Sequence, residues 1–252
     1  MLFNASELRR CDIRGLDGSL GNVHDQYFDD RSWTLRYFVV DTGNWLPGRK
    51  VLVAPEAVTE VDAKDKVVSL NLTMAQVEES PETSCDLPVS RQMETALRQR
   101  FGWTEYWELS AAGMAAPPMI PPFVPEEELR GKDPSEDYDT DPNLRSVREI
   151  EGYGLSTTDD EIGKVDDLLV DGNRWSIRYI VVKTGTWLSG RKVLIAPAWC
   201  QGISWSQQLI DVALPRERIE SCPEYDPDKP VTRDYETRIH QHYQRDAYWP
   251  AV

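Results

Sequence analysis

Most of this amino-acid sequence occurs twice along the chain, and this internal repeat limits the folds that the chain can adopt. Residues 33–55 read WTLRYFVVDTGNWLPGRKVLVAP, and residues 175–197 read WSIRYIVVKTGTWLSGRKVLIAP. The offset of 142 positions (175 against 33) continues without a gap from Asn4 and Ser146 as far as Tyr106 and Tyr248. An open solenoid needs about three or more repeats for stability, so two copies predict two small domains, each with a core of its own.

Charge and hydropathy exclude two classes of function. The formal net charge of −15 would repel the phosphates of a nucleic acid, so no nucleic-acid partner is expected. No apolar run approaches the ~20 residues that span a bilayer, and the sequence MLFNASELRR lacks the basic and then apolar order of a signal peptide. We therefore expect a cytoplasmic protein with no integral membrane segment.

Within each copy, the hydrophobic pattern is that of short β-strands. In the strongest of them, alternate residues from Trp33 to Val39 share one apolar face. Short antiparallel strands must bury a core without helices to cover it, and closing into a small barrel does this while it removes the sheet edges. We therefore predict a mainly β fold of two small antiparallel β-barrels, formed by residues 1–82 and 146–223.

Each predicted barrel is followed by a helical tail, at residues 83–110 and 224–252. An apolar stripe of residues four apart repeats in the two tails: Met93, Leu97 and Phe101, then Tyr235, Ile239 and Tyr243. Such an amphipathic helix packs on its own barrel or on a second subunit, and two stripes favour a homo-oligomer, at least a dimer. Residues 111–145, rich in Pro and then in acidic side chains, predict a linker between the copies.

The duplication also limits the candidate catalytic sites, because a site shared by both copies needs the same polar residues in each. Asp41-Thr42-Gly43 follows two valines and is similar to the catalytic triplet of aspartic proteases, which need two carboxylates that share a proton. The second copy carries Lys183 in place of Asp41, so only a second subunit could supply the pair, and a simple turn is the alternative. No other polar set with catalytic spacing recurs, and we predict no enzymatic activity and no catalytic residues.

The acidic clusters do not have the spacing of a metal site. Asp137, Asp139 and Asp141 begin like a calcium loop. However, Pro142 stands where an EF-hand needs Gly, and Arg148 stands where it needs an acidic ligand. A solvated acidic linker accounts for this segment. Residues 159–161 and 166–167 form two further acidic clusters, which we interpret as turn acids.

Cysteine and histidine give no metal site either. The cysteines are Cys11, Cys85, Cys200 and Cys222, and the histidines are His24, His240 and His242. No cysteine faces a cysteine at the equivalent position of the other copy, and none forms a C-x-x-C pair. His240 and His242 lie two apart, so they splay across a predicted helix. Because no Gly-rich phosphate loop is present either, we predict no metal and no cofactor.

One motif in both copies has two interpretations. The loop T-G-x-W-L-x-G-R-K is structural if its glycines make a turn and its Trp plugs a barrel end. It is functional if Trp, Leu and Arg form a contact surface, since Trp and Arg dominate interface hot spots. The residues predicted to bind a partner are Trp45, Leu46, Arg49, Trp187, Leu188 and Arg191.

The same region carries a family resemblance. The run from Gly21, Val23 and Asp25 through the strand of residues 33–40 resembles the PRC-barrel family, and residues 162–196 resemble it equally. The family's namesake is the cytoplasmic barrel of the photosynthetic reaction-centre H subunit, and the tandem form is similar to bacterial two-barrel proteins. The resemblance implies a docking module and brings no catalytic residues. We expect neither the transmembrane helix of the H subunit nor the RNA-handling domain of a related ribosome maturation factor.

These expectations combine into one functional hypothesis and one alternative. The hypothesis is a non-enzymatic adaptor for protein–protein interaction or assembly, with a protein partner docked on two PRC-type barrels. The alternative is a small-molecule or ion sensor with a ligand pocket between the barrels.

Overall fold

The chain is mainly β, as predicted, and the two repeats form the same series of elements. This computed structural model describes residues 1–80, 91–104, 106, 143–185 and 190–249, without the side chains of residues 91–93. The strands of the first repeat are β1 (Leu2–Asn4), β2 (Asp12–Arg14), β3 (Ser19–Asp29), β4 (Thr34–Asp41), β5 (Lys50–Val53), β6 (Val58–Asp62) and β7 (Val67–Leu70). Its helices are α1 (Ala5–Leu8), the 3-10 turn Pro55–Ala57, α2 (Met74–Glu78) and α3 (Arg91–Phe101).

The second repeat adds the equivalent strands and helices. Its strands are β8 (Leu144–Ser146), β9 (Gly154–Ser156), β10 (Glu161–Asp171), β11 (Ile177–Thr184), β12 (Arg191–Ile195), β13 (Cys200–Ser204) and β14 (Leu209–Val212). Its helices are α4 (Val147–Ile150), the 3-10 turn Pro197–Trp199, α5 (Arg216–Glu220) and α6 (Arg233–Tyr243). In the part of the chain that the structure describes, no helix has the length and apolar character of a membrane span. The predicted linker lies outside the described residues as far as residue 142, and β8 begins at its end.

Each repeat builds a sheet with the same strand order, β5-β4-β3-β2-β7-β6 and β12-β11-β10-β9-β14-β13. The predicted all-antiparallel arrangement is wrong at one pair in each sheet, because β2 and β7 run parallel, as do β9 and β14. These strands are far apart in the chain, so no hairpin forces them to be antiparallel. Among the described residues, no pairing joins the two ends of either path. In the described part of the structure each sheet is therefore open at both ends of its strand order, and the predicted closed barrel is not found.

Each sheet takes its seventh strand from the other repeat. Strand β1 pairs with β10, with Leu2 opposite Asp171 and Asn4 opposite Leu169. Strand β8, which is the equivalent of β1, pairs with β3, the equivalent of β10. A three-residue strand has almost no pattern of its own, and its partner lies in the other copy, so β1 and β8 are not predictable from the sequence alone.

The two compact units of the chain are accordingly composite. The repeat-one unit comprises Arg10–Tyr27 and Arg36–Arg145, and the repeat-two unit comprises Met1–Arg9, Phe28–Leu35 and Ser146–Val252. The independent folding of residues 1–82 and of residues 146–223 stays a prediction.

The tail helix of the first repeat packs on the sheet of its own unit. Leu97 is fully buried in a cluster with Tyr37, Val39 and Leu52, and Phe101 packs against the edge of this cluster. In the other tail, Ile239 and Tyr243 are also buried. Leu97, Ile239 and Tyr243 are therefore covered within their own units. Phe101 and Tyr235 are half-buried, and the side chain of Met93 lies outside the described part of the structure. The homo-oligomer stays a prediction.

Candidate functional site

A glycine in each repeat lets the long strand approach the tryptophan loop, residues 42–49 in the first repeat and 184–191 in the second. Gly21 has φ +121, and a Cβ on it would lie 1.9 Å from the carbonyl oxygen of Asp41. Gly163 has φ +60, and a Cβ there would lie 2.4 Å from the carbonyl oxygen of Lys183. Both the positive φ and the close approach require a residue without a side chain, so this contact fixes where the loop begins.

The tryptophan loop of repeat one is fastened to its own unit. Thr42 Oγ1 lies 2.7 Å from the carbonyl oxygens of both Leu46 and Arg49, either of which can accept its proton. The indole Nε1 of Trp45 donates to the carbonyl of Leu20 at 3.2 Å, and Trp45 and Leu46 are half-buried. The loop therefore holds a partly accessible Trp-Leu pair in a fixed position.

The arginine of the loop has the same intramolecular role in both repeats. Arg49 Nη1 donates to the carbonyl of Glu78 at 2.7 Å, and Arg191 Nη1 donates to the carbonyl of Glu220 at 2.8 Å. In each repeat Nη2 donates to a second carbonyl just beyond the helix, that of Ser80 or Cys222. These carbonyls lie at the C-terminal ends of α2 and α5, where helix carbonyls lack intrahelical partners. Trp187 and Leu188 lie outside the described residues.

A polar cluster on the tail of repeat one ties the helix to the sheet. Glu94 Oε2 accepts from the hydroxyl of Tyr37 at 3.0 Å and from that of Tyr106 at 2.7 Å. Arg98 Nε donates to the oxygen of Tyr37 at 2.9 Å. The guanidinium of Arg36 stacks on the Tyr106 ring, 3.7 Å from its centroid. Burial raises the pKa of Tyr37, so this hydroxyl keeps its proton and remains a donor.

The tail of repeat two repeats this cluster. Glu236 Oε1 accepts from Tyr179 at 3.1 Å and from Tyr248 at 2.7 Å. Nε2 of His240, at the position equivalent to Arg98, lies 3.0 Å from the hydroxyl of Tyr179. Arg178 stacks on Tyr248 at 4.2 Å, as Arg36 does on Tyr106. We call the two sets the tail clusters; their members are Tyr37, Glu94, Arg98 and Tyr106, and Tyr179, Glu236, His240 and Tyr248.

The tail clusters are a polar set that recurs in both copies, and they were not predicted from the sequence. A signal for them existed in the sequence. Glu94 and Glu236 are 142 positions apart, and so are Tyr106 and Tyr248. The tyrosine pair marks the end of the repeat, but a single carboxylate between two tyrosines does not have the pattern of a known catalytic site. Only the fold brings the tyrosine of β4 or β11 to the same carboxylate.

A cleft of about 870 Å³ opens in the repeat-two unit beside its tail cluster. Its walls are the turn Asp30–Trp33, the start of β11, the 3-10 turn, β13, and the tail residues His240, Asp246 and Tyr248. Trp199 packs against the rings of His240 and Tyr243, with centroids 5.2 and 4.8 Å away. Trp33 has φ +51, a region that bulky residues rarely adopt, and its carbonyl accepts from Ile177 N at 2.7 Å. The first repeat has Ala57 and Ala63 where this cleft has Trp199 and Trp205.

The acidic residues singled out from the sequence have structural partners. Asp159 Oδ1 accepts from the backbone N of Arg216 at 2.9 Å, and Asp160 pairs with the Arg216 guanidinium. Asp166 pairs with Lys192 at 2.7 Å. Asp41 Oδ1 accepts from the backbone N of Gly43 at 2.9 Å, an arrangement typical of a turn.

Asp167 fastens the exchanged N-terminal segment. Its carboxylate accepts from Ser6 Oγ at 2.5 Å and from Ser6 N at 3.1 Å, at the start of α1. Burial raises the pKa of Asp167, and the hydrogen bonds from Ser6 oppose this effect. Arg9 pairs with Glu151 in the same unit.

Neither metal ligation nor thiol chemistry stands out in the described segments. They contain no group of three or more His, Cys, Asp or Glu side chains that could hold a metal ion. Cys11, Cys200 and Cys222 are free thiols, and Cys85 lies outside the described residues. Burial raises the pKa of Cys200 to about 12, so the reactive thiolate is not favoured there.

A protein-family model matches this chain. The family model of the PRC-barrel domain matches residues 1–75 and 142–204, which together exceed half of the chain and cover strands β1 to β13. The search of curated proteins found no match.

Proposed function

Because the chain belongs to the PRC-barrel domain family, we propose that it is a non-enzymatic interaction or assembly adaptor that docks a protein partner. The observation that carries the proposal is the tryptophan loop of repeat one, in which Trp45 and Leu46 are held partly accessible by Thr42 and Arg49. A loop that is already ordered loses little conformational entropy on binding. An equivalent contact through Trp187 and Leu188 would make the attachment bivalent and strengthen it without new chemistry.

The Trp45→Ala variant tests this proposal. We expect it to weaken capture of the partner by more than ~1 kcal/mol, about fivefold in affinity, while its melting temperature changes little. The measurement is quantitative cross-linking and pulldown from native extract, beside thermal unfolding. Leu16→Ala is the matched control, since Leu16 is an exposed apolar side chain of the same unit and lies outside the loop.

One result would contradict a partner-binding role for the tryptophan loop. If Trp45→Ala lowers the free energy of unfolding by ~3–5 kcal/mol, as a buried aromatic plug would, and leaves capture unchanged, the loop is structural.

The cleft supports a second candidate function, a small-molecule or ion sensor. A volume of about 870 Å³ falls in the range of ligand sites, and this cleft lies inside the repeat-two unit. A ligand pocket between the two barrels, which is where the sequence analysis placed it, stays a prediction. A thermal-shift screen of wild type and a Trp199→Leu variant separates the two functions. A compound that stabilises only the wild type favours the sensor, and no shift with any compound leaves the adaptor as the function.

We further propose that the adaptor works in the cytoplasm of a bacterium as a homo-oligomer. The free thiols of Cys11, Cys200 and Cys222 support a reducing compartment. Light scattering of the full chain checks the oligomeric state, and a monomer mass would contradict it.

A further inference from the structure

The cleft of the repeat-two unit is lined by four aromatic rings. Trp199 on the 3-10 turn and Tyr248 on the tail form part of its walls, together with Trp33 and Trp205. Trp199 is 5% exposed, whereas Tyr248 is 40% exposed and the other two rings are half-buried. Three of the four rings therefore present part of their surface to solvent. Grooves that recognise proline-rich peptides have an aromatic lining of this kind.

Two of these rings also carry an unused hydrogen-bond donor. Among the residues that the structure describes, no group accepts from the indole N–H of Trp33 or of Trp199. An indole nitrogen only donates, so a ligand that fits it must supply an acceptor. The carbonyls of a polyproline II helix make no internal hydrogen bonds and are such acceptors.

An arginine without an ion pair lies in the same lining. The side chain of Arg31 is exposed, and no carboxylate of the described residues pairs with it. Arg178, the other arginine of the cleft, pairs with Asp171 at 3.0 Å. The carboxylates of Asp30 and Asp246 also line the cleft. A ligand with one acidic end and an uncharged remainder therefore suits this lining better than a uniformly acidic one.

The chain itself contains a segment with these properties, outside the described residues. Residues 117–125 read PPMIPPFVP, which is five prolines in nine residues, with two P-x-x-P patterns and no charge. The next three residues, 126–128, are all Glu. Proline fixes φ near the value of polyproline II, so such a sequence loses little conformational entropy on binding. We call residues 117–125 the proline segment.

The length of the tether allows the proline segment to reach the cleft. The repeat-two unit continues from Ser146, which follows Pro125 by 21 positions (146 − 125). Twenty-one extended residues span up to about 70 Å, whereas a unit of this size has a radius of gyration of about 14 Å. Every point on the surface of the unit is therefore within reach of Pro125.

We propose that the cleft of the repeat-two unit binds the proline segment of the same chain, with the prolines against the aromatic rings and residues 126–128 near Arg31. The equivalent positions of repeat one have Ala57 and Ala63 in place of Trp199 and Trp205, so no second site of this kind is expected there. The proposal stands independently of the adaptor function, and it gives the cleft a peptide as its occupant.

The first test removes the prolines and leaves the cleft unchanged. In the segment variant, all five prolines of residues 117–125 are replaced by Ala in the full-length chain. Indole proton–nitrogen NMR spectra, assigned with Trp33→Phe and Trp199→Phe variants, report on the two donors. We expect both indole resonances to move relative to the wild type, because the segment no longer occupies the cleft.

A change at two other prolines of the linker is the matched control. Pro134→Ala with Pro142→Ala alters the same linker outside the proline segment, so it should leave both indole resonances at their wild-type positions. Identical resonances in the wild type and the segment variant would overturn the proposal. Equal movement in the segment variant and the control would also overturn it, because a general effect of the linker would then explain the change.

The second test supplies the proline segment as a synthetic peptide of residues 115–128. The peptide should bind the segment variant and return both indole resonances towards their wild-type positions. A tethered segment has an effective concentration in the millimolar range, so the wild type should bind the peptide at least about tenfold more weakly. Calorimetric titration gives both affinities. A peptide that does not bind the segment variant, or that binds both proteins equally, contradicts the proposal.

A charge reversal shows where the peptide lies. Arg31→Glu in the segment variant should weaken peptide binding about threefold, because it places a carboxylate beside residues 126–128 of the peptide. Arg174→Glu is the control, since Arg174 is an exposed arginine of the same unit that does not line the cleft. It should leave the affinity unchanged, and equal effects of the two changes would place the peptide elsewhere.

The last measurement distinguishes the same chain from a second copy. Isotope-labelled segment variant is mixed with unlabelled wild type, so that only another molecule can supply prolines to the labelled cleft. We expect the labelled indole resonances to stay where they are in the segment variant alone. Movement towards the wild-type positions would show that the segment of a second copy fills the cleft, and it would overturn the intramolecular contact.

Discussion

A chain that lacks residues 1–9 is expected to lose the folded repeat-two unit, although the deletion lies outside the second repeat. Phe3, Ala5 and Leu8 are buried in that unit, β1 pairs with β10, and Ser6 bonds Asp167. Burial of a large apolar side chain stabilises by about 1.5–3 kcal/mol. Burial of Phe3 and Leu8, together with the pairing of β1, therefore supplies a large part of a free energy of unfolding that is roughly 5–15 kcal/mol for a domain.

Amide hydrogen exchange of β10, measured by mass spectrometry, detects the loss of this folded unit. Protection of residues 161–171 should fall to near that of an unfolded chain, and a synthetic peptide of residues 1–9 should restore part of it. Leu16→Ala, a change at an exposed side chain, should leave β10 protected. If β10 stays protected in the truncated chain, the exchanged strand does not support that unit.

Arg98→Ala is expected to lower the free energy of unfolding of the repeat-one unit by about 3–5 kcal/mol. The side chain is 1% exposed, and it supplies the hydrogen bonds to Tyr37 and Thr104 and the ion pair with Glu56. Removing one partner of such a buried network leaves the other groups without compensation. Urea unfolding followed by fluorescence gives the value.

Arg100→Ala is the control for this change, because it lies on the same helix and its ion pair with Glu79 is largely exposed. It should cost about 1 kcal/mol or less. Arg98→Lys should not rescue, since one ammonium cannot reproduce the fork of a guanidinium. Equal effects of Arg98→Ala and Arg100→Ala would show that the buried cation adds little.

Local patterns allowed much of the fold to be predicted. Thr73 and Gln76, three residues apart in the sequence, form a capping box at the start of α2, with Gln76 N donating to Thr73 Oγ1 at 3.3 Å. Helix α6 lies within the predicted tail of residues 224–252, and Tyr235 N donates to the side chain of Thr232 at its start. Apolar alternation located β4 and β11. In each case the signal and the structure it predicts lie within a few residues of each other.

Long-range pairing could not be predicted in this way. Strands β1 and β8 have three residues each and find partners in the other repeat, and the parallel pair of β2 with β7 joins distant segments. The short strands β6 and β13 lie at the end of each path, with one paired neighbour, and their sequences do not alternate clearly. The tail clusters could not be predicted either. Tyr37 lies on the sheet and Glu94 on the tail helix, and only the tertiary fold brings the two side chains into contact.

The exchange of β1 and β8 also sets the order in which the protein can be completed during translation. Strand β1 leaves the ribosome well before β10, which spans residues 161–171. At about 5–20 residues per second, this separation corresponds to a wait of roughly 8–30 s. The sheet of the first repeat likewise stays one strand short until residues 144–146 appear. A nascent chain with an unpaired strand edge is a substrate for chaperones, and neither sheet can be complete before more than half of the chain has been synthesised.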